Sequence, residues 1–203
     1  MIKKGLWVVL AVMAILIGLY PAIYFLVDRK FGLLNTKSDA LLTYDFWNVG
    51  FYTHIIFGGI ALLIGWTQFR AGFRNRHLKL HKRIGKVYVF GALLSALAGI
   101  YIGHFATGGL VSMLGFILLG ILWFYFTLMA YVTIKKKQID NHEKMMIYSY
   151  ALCFSAVTLR IWLPLLTMLF GDFNTAYPIV AWLCWLPNLL VAFFIVRGIS
   201  KEK

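Results

Sequence analysis

Long apolar runs separated by short polar segments dominate the chain. Six runs of about 20 residues each are found at roughly 6–26, 51–69, 87–107, 110–134, 145–170 and 177–196. An α-helix needs about 20 apolar residues to cross the hydrocarbon core of a bilayer, so each run predicts one membrane span. The spans use most of the 203 residues. The pattern therefore predicts an all-α fold, with residues 1–203 forming a single membrane domain of six helices in one bundle.

Composition and charge add the orientation of this bundle. Apolar residues make up 62% of the chain, and the mean hydropathy is +0.81. The net charge of +13 comes from basic residues clustered between the apolar runs, which indicates a topology signal and no nucleic-acid partner. Sixteen of the 20 Lys and Arg residues lie in alternate segments, against three in the others, Arg29, Lys30 and Lys37. The positive-inside rule then places both termini in the cytoplasm.

Two histidines near the predicted outer ends of neighbouring helices are the first candidate site. His54 lies near the start of the second run and His104 near the end of the third, which brings them to a similar depth. Neutral imidazoles are common axial ligands of haem iron, so His54 and His104 are predicted ligands of haem b. On a helix, His54 shares a face with the small residues Gly58, Ala61 and Gly65, on which a flat macrocycle could lie. The alternative is that the two histidines bond to each other, to backbone or to lipid headgroups.

A second group of histidines lies on the predicted cytoplasmic side. His77 and His81 are four residues apart, and His142 lies in the first turn of the fifth helix. They could gather a metal, but no acid or thiolate completes a strong zinc motif, so a basic segment that contacts anionic lipid is favoured. Pairing of His81 with His142 would suggest a second haem. The 23 residues between His81 and His104 span about 35 Å of helix, which places this pair at the bilayer edge.

Arg160 is the only charged residue within the fifth apolar run. Pro164 cannot donate the hydrogen bond that the Arg160 carbonyl would accept, so we predict a kink at this position. All seven acidic residues lie in loops or at chain ends. Arg160 is therefore predicted either to bind an anionic ligand, such as a haem propionate, a headgroup or a carboxylate, or to reach toward Asp45 or Asp172.

Other features predict packing rather than chemistry. In the third helix, small residues recur every four positions, at Gly91, Ser95, Gly99 and Gly103, which indicates a central helix with close neighbours. The connection at 27–50 either lies on the membrane surface or starts the second helix early, with Asp45 as a cap. The sixth helix is predicted to break at Pro187, with Asn188 bonding to the freed backbone. Cys153 and Cys184 are interpreted as packing residues.

Several catalytic motifs are missing. The chain has no phosphate-binding glycine loop, serine elbow, His-Glu-x-x-His motif or paired intramembrane carboxylates. The sequence therefore gives no support to ATP hydrolysis, esterase, metalloprotease or carboxylate-driven proton-pumping activity.

Two stretches carry a resemblance to a known family. They are LHKRIGKVYV at 80–89 and the segment 142–164, which runs from HEKMM at 142–146 through AVTLRIWLP at 156–164. With His54 upstream, they resemble a family of uncharacterised bacterial six-helix membrane proteins, a domain of unknown function. The resemblance implies a multi-pass protein of the bacterial plasma membrane, and it carries over His54, His81, His104, His142 and Arg160 without any activity. A looser similarity to cytochrome b561-type bundles rests only on histidines at helix ends.

The leading functional hypothesis is electron transfer through haem b, with a quinone or small acceptor as partner. The alternative is a protein with no redox role, either a small transporter or a scaffold that binds lipid or an anionic small molecule and carries no cofactor. In that case His54, His104 and Arg160 contact an anion or one another. Membrane lipid is a partner in both.

Overall fold

The computed structural model describes residues 4–27 and 30–201, and this part of the chain is helical with turns and no strand. Six helices are long and apolar enough to cross a membrane, which confirms the predicted number: Gly5–Phe25, Asp45–Phe69, Leu78–Gly103, Gly109–Lys135, Ile139–Phe170 and Phe173–Ser200. Four residues that carry predicted topology charges, Lys3, Asp28, Arg29 and Lys203, lie outside the described residues. The protein is therefore a multi-pass membrane protein surrounded by lipid.

The described residues form ten α-helices and short 3-10 segments, of which the α-helices at 39–42 and 71–76 lie between spans. They are α1 Lys4–Leu19, α2 Asp39–Leu42, α3 Asp45–Gly65, α4 Ala71–Arg76, α5 Leu78–Gly103, α6 Gly109–Lys135, α7 Ile139–Cys153, α8 Ser155–Phe170, α9 Phe173–Leu183 and α10 Leu186–Lys201. Turns of 3-10 helix extend α1 over Tyr20–Phe25 and α3 over Trp66–Phe69, and a separate one forms Gly32–Thr36. We call the end of the bundle with residues 30–44 the loop face and the opposite end the basic face.

The third span, α5, makes close contacts through its small residues, as predicted, whereas its central position stays a prediction. It packs against α3 on one side and α6 on the other. A Cβ atom on Gly91 would lie 3.2 Å from the Phe57 carbonyl oxygen of α3, and one on Gly103 would lie 3.1 Å from the Ile117 side chain of α6. Helices in lipid associate through such close approach because burial of apolar surface adds little there.

Four spans begin at least four residues earlier than hydropathy predicts. The second span starts at Asp45 rather than 51, and the third starts at Leu78 rather than 87. The fifth and sixth spans start at Ile139 and Phe173 rather than 145 and 177. Hydropathy marks where apolar residues begin, whereas the Lys and Arg residues before the third apolar run are good helix formers and continue that helix into the interface. The early start of the second helix at Asp45 is thus observed, although Tyr44 occupies the N-cap position and Asp45 is the first helical residue.

One of the interruptions in the last two spans was not predicted, and the predicted kink at Pro164 stays a prediction. In the fifth span the break lies at Phe154, where the Val157 N–H bonds to the Phe154 carbonyl at 2.9 Å, and α8 continues through Pro164. One missing donor at Pro164 is tolerated within a packed helix. In the sixth span the break lies just before Pro187, and the Asn188 amide donates to the Cys184 carbonyl at 3.1 Å, as predicted.

The middle of the bundle is filled. The Ser149 hydroxyl lies 2.8 Å from the Tyr88 hydroxyl and 2.7 Å from the Thr127 hydroxyl, and all three side chains are fully buried. Cys153 and Cys184 are buried free thiols, which agrees with their predicted packing role. This core closes the centre of the bundle toward the basic face.

Candidate functional site

A cavity of about 240 Å³ lies in the half of the bundle nearer the loop face. All six spans and the segment 33–37 contribute to its wall, which is mainly apolar. Nine side chains on this wall carry a nitrogen or oxygen atom: Tyr24, Lys37, Trp47, His54, Ser95, Trp123, Ser155, Arg160 and Tyr177. Two of them are basic, and no Asp or Glu is among the described residues that line the cavity.

Arg160 reaches this cavity from the middle of α8. Its Nη1 donates to the Ala156 carbonyl oxygen at 2.8 Å, and its guanidinium lies 4.3 Å from the centre of the Tyr20 ring. Stacking on a ring and a bond to its own helix compensate part of the charge. An Arg side chain carries five N–H donors, so the guanidinium of Arg160 has further donors beyond the one that bonds to Ala156.

No acid neutralises Arg160 in the part of the chain that the structure describes. There the one ion pair joins Lys30 and Asp39, at 2.7 Å. Asp172, a predicted partner of Arg160, instead caps α9 and accepts hydrogen bonds from the Thr175 N–H and hydroxyl, which lower the pKa of its carboxyl. Asp45, the other predicted partner, forms no ion pair with Arg160 either.

His54 is held in one orientation by α5. Its Nδ1 lies 2.9 Å from the Ser95 carbonyl oxygen, and the Ser95 hydroxyl donates to the His54 carbonyl at 2.8 Å. A carbonyl can only accept, so Nδ1 carries the proton and Nε2 keeps its lone pair. Gly99 makes room for the ring, since a Cβ there would lie 2.9 Å from Nδ1. The Nε2 atom is therefore an acceptor or a metal ligand available to the cavity.

The predicted surface for a macrocycle beside His54 is largely covered by protein. A Cβ on Gly58 would lie 2.8 Å from the Ser95 hydroxyl, and one on Gly65 would lie 2.5 Å from the Tyr150 ring. Ala61 is fully buried. The strip of small residues thus serves mainly helix packing, and of these three residues Gly58 also lines the cavity.

His104 is not brought to the cavity. It caps the end of α5, its side chain is exposed, and its Nδ1 bonds to the Ile100 carbonyl oxygen at 2.9 Å. It shares the loop face with His54, as depth predicted, but it does not line the cavity with His54 and Arg160. Joint ligation of haem by His54 and His104 stays a prediction.

His81 and His142 lie far from this site, on the basic face. They are close enough for their charges to interact, and Arg74 and Lys82 lie within the same range of His81. His142 Nδ1 bonds to the Ala130 carbonyl oxygen at 2.7 Å, whereas His81 Nδ1 is buried without a hydrogen-bond partner among the described residues. Two imidazoles and two cations favour an anion over a metal, and no group of three potential metal ligands occurs in the described chain.

Lys37 completes the site from the loop above the cavity, and sequence reasoning did not find it. Its Nζ donates to the Phe105 carbonyl oxygen at 2.5 Å and to the Thr107 hydroxyl at 2.9 Å. Burial lowers the pKa of this amine to about 8. The residue lies in a connection of no regular pattern, so only the folded chain shows that it faces the cavity.

Tyr24 and Trp47 also escaped prediction. Tyr24 lies within electrostatic range of Arg160 and Tyr20, and the buried indole N–H of Trp47 has no hydrogen-bond partner among the described residues. Ser95 had one usable signal, because it belongs to the small-residue stripe that faces α3. The site thus combines several N–H and O–H groups with the ring acceptor His54 Nε2 in an apolar enclosure.

These features define a helical multi-pass membrane protein with a small, positively charged internal cavity. The chain belongs to the family described as predicted membrane protein (DUF2306), whose model matches residues 51–196. The match confirms the resemblance seen in the sequence and includes His54, His81, His104, His142 and Arg160, but its description names no activity. No curated protein and no solved structure matches the chain. The similarity to cytochrome b561-type bundles stays an expectation.

Proposed function

We propose that this protein binds a small anionic molecule in the loop-face cavity, with Arg160 as the anchor for a carboxylate or similar group. The observation that carries the proposal is a cation on an apolar cavity wall that has no acidic lining residue among those described. A cation at membrane depth costs at least about 2.5 kcal/mol unless it is compensated. An anionic ligand supplies that compensation, and the planar guanidinium fits a carboxylate with two parallel hydrogen bonds.

The size of the cavity limits the ligand. Pockets for drug-sized ligands measure about 300–1,000 Å³, and this cavity of about 240 Å³ is smaller. The apolar wall favours a small acid with a hydrocarbon or aromatic body. The buried Tyr88, Thr127 and Ser149 block a continuous path to the basic face. We therefore favour binding over transport. We place the protein in the plasma membrane of a bacterium.

A comparison of charged and uncharged ligands of one shape tests this proposal. Benzoate and benzamide are titrated into detergent-purified protein, and binding is measured by calorimetry. We expect benzoate to bind and benzamide to bind far more weakly. Arg160→Leu should weaken benzoate binding about ten- to hundredfold, since a hydrogen bond to a charged group contributes about 1.5–3 kcal/mol.

The matched control is Arg83→Leu, which makes the same change at an exposed residue of the basic face. It should bind benzoate as the wild type does. Equal benzoate affinity in wild type and Arg160→Leu would contradict the proposal, as would equal affinity for benzamide. No binding of either ligand to wild type would also count against a carboxylate of this size.

A second candidate is the binding of haem b, with electron exchange to a quinone or small acceptor. The observation in its favour is His54, whose Nδ1–H is fixed on the Ser95 carbonyl while Nε2 stays free, as in metal-bound histidines. The covered glycine strip and the small cavity count against it. Protein expressed with ample haem should show a Soret band that His54→Ala removes, and colourless protein would exclude this candidate.

A further inference from the structure

The cavity has one wall made of loop rather than helix. We call this wall the strap, consisting of the 3-10 turn Gly32–Thr36 together with Lys37. Leu33, Leu34 and Lys37 line the cavity, and Leu34 is 3% exposed. Thr36 is exposed on the opposite side of the strap. The strap therefore separates the cavity from the space beyond the loop face.

Side-chain hydrogen bonds hold the strap closed. The Thr36 and Thr107 hydroxyls lie 3.0 Å apart, and Lys37 Nζ bonds to both Thr107 and the Phe105 carbonyl oxygen. Thr107 belongs to the turn between α5 and α6. Gly32, with φ of +59°, passes beside the Tyr20 and Tyr24 hydroxyls and allows the sharp entry of the chain into the 3-10 turn. Besides these bonds, the strap is held by one buried side chain, Leu34, which packs with Leu42, Trp47 and Phe51, so the strap opens more easily than a packed helix.

The helical walls of the cavity are closed more tightly. A Cβ on Gly59 would lie 2.8 Å from the Gly18 carbonyl oxygen of α1, and one on Gly120 would lie 3.3 Å from the Ala96 carbonyl oxygen of α5. Gly115 of α6 approaches the α9 backbone in the same way, at 2.8 Å. Backbones in such contact leave no gap for a ligand. The seam between α1 and α8 is the weakest of these walls, since Tyr20 and Arg160 close it with side chains.

We infer that the cavity exchanges its ligand with the aqueous phase at the loop face, beneath the strap, so that the ligand is a water-soluble small anion rather than a lipid from the bilayer. The identity of the ligand rests on the proposed function, whereas the entry route does not. The two cationic side chains of the cavity suit this route, because an anion that enters beneath the strap passes Lys37 before it reaches Arg160.

Chemical labelling from within the cavity tests the route without knowledge of the ligand. The reporter is Ala156→Cys on the cavity wall, with Cys153→Ala and Cys184→Ala to remove the native thiols. The reagent is methanethiosulfonate ethylsulfonate, a water-soluble anion that forms a mixed disulfide with a thiol and releases methanesulfinate. Mass spectrometry of the peptide around position 156 gives the labelling rate at that site.

Two changes act on the strap in opposite directions. Thr36→Cys with Thr107→Cys allows a disulfide, since the hydroxyls they replace lie 3.0 Å apart, and the control carries Thr36→Cys alone. After oxidation, the bridged protein should label at least about tenfold more slowly than the control, since the bridge prevents local opening. Thr107→Val removes the hydrogen bonds to Thr36 and Lys37, so it should label at least about fivefold faster than the parent protein, which is the effect of losing one net hydrogen bond.

An unchanged labelling rate in the bridged protein would overturn the inference. N-ethylmaleimide, which is uncharged and enters lipid, gives a second test. If it labelled the bridged protein as fast as the control, this would show entry between helices and would overturn the inference too. If the bridged protein did not elute as a single folded species, the Thr107→Val rate would decide, and no increase would refute the strap. Failure of benzoate to bind wild type would remove the proposed ligand and leave these labelling results intact.

Discussion

Replacement of Arg160 by leucine should weaken benzoate binding about ten- to hundredfold and leave the fold nearly as stable as before. The mutation eliminates a charge whose placement at the centre of a span costs about 2.5–3.5 kcal/mol on insertion scales. It also eliminates the stacking on Tyr20, which contributes about 0.5–2 kcal/mol, and the hydrogen bond to Ala156, which contributes about 1.5–3 kcal/mol. Gain and loss are of similar size, so the free energy of unfolding should change by less than about 2 kcal/mol.

Arg160→Lys separates the charge from the shape of the side chain. Lysine keeps the cost of a charge at membrane depth but lacks the planar group that lies on Tyr20. We therefore expect Arg160→Lys to be less stable than Arg160→Leu, although it is the more conservative change. It should retain part of the benzoate affinity because the charge remains.

Thermal and denaturant unfolding of the three proteins in the same detergent, followed by tryptophan fluorescence, measures these differences. The benzoate titration is then performed on each variant under the same conditions. If the free energy of unfolding of Arg160→Leu were more than about 3 kcal/mol below that of wild type, the reasoning would be refuted, because the contacts with Tyr20 and Ala156 would then outweigh the cost of the charge. Arg160 would in that case be a structural residue.

Three further predictions concern orientation, pH and packing. Reporter fusions after Lys82 should indicate the cytoplasm and fusions after Gly108 the outside, and the reverse result would refute the orientation read from the basic residues. Burial lowers the pKa of Lys37 from 10.5 to about 8, so the folded protein loses this proton first, and stability should rise as the pH increases from about 8 to 10.5. A melting temperature followed over this range in wild type and Lys37→Met checks the sign, since the variant should lack this increase. Gly59→Ala should destabilise the protein by about 1–3 kcal/mol, because its Cβ would meet the α1 backbone at 2.8 Å, whereas Gly72→Ala, with open space around it, should not. Equal stability of the two glycine variants in thermal unfolding would contradict the packing of α1 on α3.

Much of the fold follows from local properties of the chain. The number of spans depends on the transfer of apolar side chains into lipid, a sum over each segment that needs no knowledge of its neighbours. His54 and Arg160 could also be identified from local properties, because a titratable or charged residue in an apolar run is costly wherever the helix lies. Asn188 was identifiable from the proline beside it, since the missing N–H leaves a carbonyl that needs a donor.

The tertiary structure alone decided which of these residues meet. Position along a helix gives depth, and depth places His54 and His104 on the same face, but rotation about the helix axis sends His54 toward Ser95 and leaves His104 exposed. The strap shows the same limit, since Lys37 has no periodic pattern and reaches the cavity through bonds to residues some 70 positions away. The sequence by itself determined the six spans and the buried charge at Arg160, because both depend on local transfer energies. The cavity, its strap and the pairing of Arg160 with Tyr20 were decided by the packing of distant segments, which no local energy specifies.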